Sequence, residues 1–578
     1  MAEAQRRRRL ATLEEYLSSL AAGNPAWRHK AMQKNDTFIG RLEREDCRGR
    51  SEGVHCRPAP SQAPDSGASA PPVQLLWSPE EGRHLVASRD IAAGEDIFRE
   101  PPLVLTPRPH PEPVCLACLA PLKADWSGCE GCGAPLCSPP CDGELHVVSE
   151  CGMLAGLGLQ QDRDQLLPLN QLLTTTRTLL LLQEAPQAGH VIEAMQSNVE
   201  KRQRSVVAQA MEKRVMEGLR RLGMEEEEGV VRHICGVFDT NAFAVDGGRA
   251  LLPLAALMNH HCSANTQHWF HRGTLVVRAA RNIPKGEAIT NTYTPVLWGN
   301  RARAAYLASS KLFTCRCERC LDPRELGSHL SSVRCRQCQG GVLLPPSSPA
   351  ETVWQCESCG ENVAAAAVEA MVRAAATMAK GAVGDAEELQ AVVCQMTRLV
   401  GECHYVTVGA KHSLVETIMA GRLHDVSGAD LRRVVDLCGD LLHIADLLEP
   451  GLSRLRGVLL LEQVRAAAEL LRRQTAADFS AISSVTDTEE TTATITSTST
   501  STAFDITCDE SAPSQLSLIQ KLKAAATESE NILQYDPRLP HAQEVLRLLQ
   551  ELQANGKAEN EEKEAKVKKE EEGKEGSH

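Results

Sequence analysis

No uninterrupted apolar run in this 578-residue chain approaches the 18 or more residues that a membrane-spanning helix needs; the longest leucine cluster is Leu179–Leu182. The opening segment, Met1 to Gln5 followed by Arg6–Arg9, lacks the apolar stretch of a secretory signal. Aromatic residues make up 3% of the chain and the formal net charge is -13. The first offers few stacking platforms for bases and the second no excess of cations to displace phosphate counterions, so a nucleic-acid binder is disfavoured. These shortages lead us to expect a soluble intracellular protein, nuclear or cytoplasmic, monomeric and without a membrane partner. Its acidic balance suits basic protein partners. Arg6–Arg9 fits a nuclear-import patch, but a solvated charge run is the preferred reading.

What the chain has in quantity is cysteine, 22 residues. In a reducing compartment disulfides do not persist, so metal binding is the usual explanation. The length, at roughly 150 residues per domain, calls for about three to four domains.

The patterning divides the chain as follows. Residues 1–72 begin with a short helix and pass into Ser, Pro, Gly and Ala, a flexible leader. Short apolar segments punctuated by glycine, among them Gly82–Ala87 and Ile91–Glu95, predict β-hairpins in 73–114. A cysteine-rich block at 115–151 precedes a Leu- and Gln-rich helical stretch at 152–236, and short strands return in 237–314. A second cysteine-rich block fills 315–362. Residues 363–553 read as successive amphipathic helices: Leu431, Val434, Val435, Cys438, Leu441 and Leu442 recur at the spacing of one buried face, with His443 a surface or packed histidine. A Thr/Ser insert at 484–512 and a Lys/Glu-rich tail at 554–578 are expected to be disordered. Leu533–Pro537 is similar to a helix end in a tetratricopeptide hairpin, without a clean 34-residue period.

The first cysteine block contains Cys115-x2-Cys118, Cys129-x2-Cys132, Cys137-x3-Cys141 and His146-x4-Cys151, eight soft ligands and therefore two tetrahedral zinc ions. It resembles the MYND finger. That resemblance implies one site of Cys115, Cys118, Cys137 and Cys141, a second of Cys129, Cys132, His146 and Cys151, and a surface for proline-containing peptides. The family leaves three residues between its last His and Cys; this chain has four. In the second block Cys315, Cys317 and Cys320 supply three ligands, whereas Cys335-x2-Cys338 and Cys356-x2-Cys359 have the spacing of a zinc ribbon. Asn259-His260-His261-Cys262-Ser263-Ala264-Asn265 resembles the SET family's NHxCxPN motif, whose cysteine closes the three-cysteine set, so the resemblance names Cys262 as the missing ligand. Four zinc ions are expected in all.

Gly82–Ala87 with Gly94-Glu95, then the 115–151 block, then Asn259–Asn265, Gly286–Tyr293 and the Cys315 cluster follow the order of SMYD proteins, and Gly451–Gly457 with the added ribbon is most similar to their arthropod msta-like (SmydA) branch. The implied fold is α+β and multidomain: a β-rich SET domain split by a MYND finger, a zinc-bound post-SET region and ribbon, and an all-α tetratricopeptide-like C-terminal domain. The implied activity is S-adenosylmethionine-dependent protein-lysine N-methylation, with histones or other basic tails as substrates. By the same resemblance Tyr293 is the catalytic tyrosine, and Gly82, Arg83, Asn241, Asn259, His260, Tyr293 and Phe313 contact the cofactor, although a core phenylalanine is an equal reading of Phe313.

Three positions depart from the family pattern. His84 replaces the second glycine of Gly-x-Gly and is expected to crowd the cofactor or remove a needed backbone conformation. Ala264 replaces a proline, and Lys311 stands where several relatives carry a tyrosine of the lysine channel. His84 and Lys311 favour an alternative: a weak or inactive SET and MYND scaffold that recruits partners.

Overall fold

The computed structural model describes residues 2–21, 71–485 apart from short stretches (124–125, 139–140, 142–144, 147, 160–162, 272, 339, 347–351 and 383), and 515–554. The Thr/Ser tract, the charged tail and most of the leader lie outside the described residues. The chain forms two compact units, residues 1–293 with 305–314, and residues 294–304 with 315–578. No helix among the described residues is long and apolar enough to cross a membrane.

In the first unit the predicted hairpin pairs Val73–Ser78 with Gly82–Ala87 in antiparallel register. Gly82 takes a left-handed φ of +67° at the end of its turn, where a side chain would be strained. Asp96–Glu100 pairs with Thr274–Ala279, itself paired with Thr266–His271. Val104–Pro107 and Phe243–Val245 flank Gly248–Leu251. These short strands share one core, including Leu85, Ile91, Leu251, Val277 and Ile289. Because apolar positions alternate along strands, a few residues from each suffice to fill it.

Helices Leu166–Glu184, Pro186–Ala194, Val206–Arg221 and Glu228–Asn241 fill the stretch between the strands, the last running five residues past the expected boundary at 236. Thr174, Thr176 and Thr178, poor helix formers, are buried with their hydroxyls donating to carbonyls four residues back, which satisfies the polar atom inside the core.

The leader begins with a helix, as expected, but it is 20 residues long, Ala2–Ala21, and packs into the first unit rather than standing free. Leu13 and Tyr16 are buried in the main core, Leu10, Leu17 and Leu20 pack beside them, and the guanidinium of Arg6 lies 3.8 Å from the centroid of the Trp77 ring. Four leucines at helical spacing make one apolar stripe, and burying it outweighs the pull of the arginines toward water.

The second unit carries a four-stranded antiparallel sheet (Val333–Arg334, Val342–Leu344, Val353–Cys356, Asn362–Ala364), then helices Ala365–Gly381, Ala386–Leu399, Tyr405–Met419, Gly428–Leu448, Arg454–Val485 and Gln515–Ile532, and a helical segment at 539–554. Ser427 caps Gly428–Leu448 by accepting from the backbone N–H of Asp430. The predicted stripe is buried from Leu431 to Leu441, Leu442 packs at its margin, and His443 is exposed. Arg303 and Arg319, both fully buried, converge on the equally buried Glu325 Oε2 at 2.6 and 3.0 Å. Arg303 also donates to Trp298 O, and Arg319 to Val296 O, so both charges are paired and hydrogen-bonded.

Candidate active site and metal centres

Three sets of sequence-predicted ligands converge within single units: Cys115, Cys118, Cys137 and Cys141; Cys129, Cys132, His146 and Cys151; and Cys335, Cys338, Cys356 and Cys359. Four sulfurs 2.3 Å from one zinc ion stand about 3.8 Å apart. The Sγ separations match: 3.7 Å for Cys115 and Cys141, 3.6 Å for Cys129 and Cys151, 3.8 Å for Cys335 and Cys359, 3.7 Å for Cys338 and Cys356. All four positions of each set are protein groups, so an ion held there would be structural, without an open place for substrate.

His146 joins its set despite the longer spacing. Its Nε2 lies 3.4 Å from Cys132 Sγ, and its Nδ1 lies 2.9 Å from Glu150 Oε1. Residues 148–155 are helical, which folds the extra residue back and returns Cys151 to the cluster. Glu150 is fully buried and also receives Arg177 Nε at 2.6 Å and Nη2 at 2.9 Å. That guanidinium holds the carboxyl below its ordinary range against the opposing effect of burial. Neither Glu150 nor Arg177 was singled out from sequence. A carboxylate one helical turn after a ligand histidine was the available signal.

The candidate active site is built on a two-residue parallel pairing. Thr290 pairs with Asn259 and Asn291 with His260, which brings the NHxC segment beside the strand Thr290–Asn291, two residues before Tyr293. Asn265 locks this arrangement. Its Nδ2 donates to Glu287 Oε1 and Ala288 O, both at 2.8 Å, and its Oδ1 accepts from Thr290 N at 2.8 Å. The final asparagine of the motif is thus a clamp between segments.

Around that pairing, Tyr293 donates its hydroxyl to Met258 O at 2.7 Å, and its backbone N–H donates to His260 Nδ1 at 3.0 Å. With Nδ1 accepting, the ring proton of His260 resides on Nε2, 3.2 Å from Cys262 Sγ. The rings of His260, Tyr293 and Phe313 pack with centroids 5.2 to 6.4 Å apart. Burial drives the Tyr293 phenol above its ordinary range, so it stays protonated at physiological pH.

Asn259 Nδ2 donates to Glu81 O at 2.8 Å, tying this pairing to the residue before Gly82. Asn241 Nδ2 donates to Gln196 O and Val237 O. The guanidinium of Arg83 reaches Ala194 O on the neighbouring helix, and burial lowers it to about 10.

Comparison with known proteins places the chain. Residues 82–294 match the SET domain family. Isoform B of the SET domain-containing protein SmydA-8 of Drosophila melanogaster is 36% identical over 314 residues, 51% of this chain and 67% of that protein. Isoform A is 38% identical over 301 residues, 49% of this chain and 63% of that protein. The chain belongs to the SMYD-type SET domain family, in its SmydA branch. The histone-lysine N-methyltransferase SMYD3 of Mus musculus is 26% identical over 276 residues, 43% of this chain and 61% of that protein. The chain thus spans about two thirds of the length of these curated relatives. At the level of the family, the chemistry is protein-lysine methylation.

The departures from the family pattern have defined places. His84 is buried and folded onto its own hairpin, with Nδ1 3.1 Å from Gly82 O and Nε2 3.2 Å from Glu81 Oε2. Gly82 has a left-handed φ, whereas His84 does not, so the residue that replaces the family's second glycine brings no backbone strain. Lys311 ends a π-helical turn, donates Nζ to Thr240 O at 3.0 Å and lies 5.7 Å from the centroid of the Tyr293 ring. Burial lowers its pKa, against the opposing charge of Asp239.

Proposed function

We propose that this SmydA-type chain is an S-adenosylmethionine-dependent protein-lysine N-methyltransferase, acting on an exposed lysine of a basic protein tail, histones included. The observation that carries the reading is Tyr293: its hydroxyl is fixed on Met258 O at 2.7 Å inside an aromatic cluster with His260 and Phe313. A phenol that spends its proton on a carbonyl still accepts through oxygen, and one held neutral by burial orients an amine without acting as a strong base. The substrate amine must be uncharged to attack; desolvation beside these rings and the positive sulfonium of a bound cofactor would both favour that form.

The cofactor, when bound, supplies an electrophilic methyl group. Gly82, Arg83, Asn241, Asn259, His260 and Phe313 would hold it. The donor and acceptor inventory fits: Asn241 and Asn259 spend their amide N–H groups on backbone carbonyls, whereas neither Oδ1 accepts from a described residue, leaving acceptors for an ammonium or ribose hydroxyl. His84, turned into its hairpin, does not argue against binding.

We assign four zinc ions, with Cys262 completing the set of Cys315, Cys317 and Cys320 as the motif resemblance implies. Residues 115–151 are read as a MYND finger open to proline-containing peptides, and the C-terminal helices as a tetratricopeptide-like partner domain.

One observation favours a second reading, a scaffold without turnover: the Lys311 ammonium already sits over the Tyr293 ring. Calorimetry with the cofactor and its demethylated product, followed by a labelled-methyl assay on mixed basic proteins, separates the two. Binding with transfer establishes the enzyme; no binding at millimolar ligand establishes the scaffold. Elemental analysis at two or fewer zinc ions per chain would remove the metal assignment.

A further inference from the structure

The mechanism above leaves unexplained a fully buried carboxylate, Glu100, at the end of the strand Asp96–Glu100. Its Oε1 accepts from Leu254 N at 2.8 Å and from the Tyr16 hydroxyl at 3.1 Å, and its Oε2 accepts from Ala255 N at 2.7 Å. Leu254 and Ala255 open the 3-10 turn Ala255–Leu257, whose free N–H groups need acceptors. Ala255 O in turn accepts from Met258 N at 3.1 Å, and Met258 O is the acceptor of the Tyr293 hydroxyl.

These contacts join into one line: Tyr16 hydroxyl, Glu100 carboxylate, Ala255 backbone, Met258 backbone, Tyr293 hydroxyl. Each link is a direct hydrogen bond or the span from N–H to C=O of a single residue in the turn, and all lie in one compact unit. The direction of the Tyr293 O–H is set by the position of Met258 O. That carbonyl is set by the turn, and the turn is fastened at its start by Glu100. Tyr16 fixes which way the Glu100 carboxylate faces. It comes from the helix Ala2–Ala21, which is held independently by Leu13 in the core and by Arg6 on Trp77.

We propose that Tyr16 and Glu100 are positioning residues for the Tyr293 hydroxyl, which makes the N-terminal helix a working part of the methyl-transfer domain. The inference rests on the enzyme reading above. A carboxylate is required at 100 because three donors converge on two oxygens. Glutamine retains one acceptor oxygen and turns an N–H toward one of those donors. Tyr16→Phe removes one donor and leaves the ring in place, so it is the milder lesion.

The experiment uses the zinc-loaded full chain with 3-fluorotyrosine at its five tyrosines, assigned by single Tyr→Phe replacements. The 19F resonance of Tyr293 is compared in wild type, Tyr16→Phe and Glu100→Gln, with kcat and KM measured on the unlabelled proteins. The expected result is a shifted Tyr293 resonance in both variants and a kcat lowered about tenfold at unchanged cofactor KM, the larger change in Glu100→Gln, because small misplacement of an orienting group raises the barrier without removing ground-state binding. A merely structural role would lower the melting temperature and leave the resonance and kcat of the folded fraction unaltered, which overturns the inference. Should wild type transfer no methyl group while the resonance still shifts, the positioning role stands and the enzyme reading fails. Should Glu100→Gln not fold, Tyr16→Phe decides alone.

Discussion

Glu150 Oε1 stands 2.9 Å from Nδ1 of His146, and the pair is held from behind by Arg177. With Nδ1–H engaged, Nε2 of the histidine is left as the electron-pair donor facing Cys132 and its partners. Glu150→Gln is therefore expected to weaken the second zinc centre by about 10- to 100-fold. Chelator competition on the full chain reads this as one ion released early. Arg177→Met should have the same direction, since it leaves the buried Glu150 carboxylate with His146 but without its cation.

Tyr293→Phe should reduce methyl transfer by about 10²-fold or more, with zinc content, melting temperature and cofactor affinity close to wild type. The ring, which packs on His260 and Phe313, is retained; only the group that orients the amine is lost. Equal activity of the two proteins in a labelled-methyl assay would make Tyr293 a core residue.

The Glu100 carboxyl carries a pH signature. Burial raises it from 4.5 to about 7, with its three donors opposing, and Tyr16 is the titratable side chain facing it. The folded state thus binds this proton more tightly than the unfolded chain. The resulting stabilisation is fully present below about pH 4.5 and is lost as pH rises through 7, on the order of 3 kcal/mol. Glu100→Gln cannot titrate. The stability difference between wild type and variant should change between about pH 4.5 and 7 in denaturant titrations, and a flat difference would refute the assignment.

In the second unit, replacing Arg303 by Met should cost about 3 to 5 kcal/mol, because Glu325 would keep only one of its two buried cationic partners. Thermal unfolding with zinc present checks it. Replacing exposed Arg373, whose contact with Glu369 is 3.7 Å at the surface, should change little.

The metal ligands were legible because zinc geometry writes itself into short spacings: Cys335-x2-Cys338 is readable without any fold. The stripe from Leu431 to Leu441 was legible for the same local reason, a period of one helix. The order of the SET segments was visible as a resemblance. What could not be read were contacts between distant residues of ordinary type. Tyr16 and Glu100 are 84 positions apart, and Arg303 and Glu325 look like surface charges until the fold removes water from both. The docked first helix was obscured by its four arginines, which suggested a solvated segment, although Leu10, Leu13, Leu17 and Leu20 already formed the stripe that buries it. Asn265 was quoted as part of a motif, but its clamp on Glu287 to Thr290 depends on a strand pairing that no local pattern announces.

Residues 294–304 belong to the second unit, yet they interrupt the first, which is completed only by 305–314. During synthesis the ribosome therefore delivers Tyr293 well before Lys311 and Phe313, and the first unit cannot close until a piece of its neighbour has already emerged. A gene fragment ending at Tyr293 would encode every strand of that unit and still lack its last segment. For the same reason no single cut in the sequence separates one whole unit from the other.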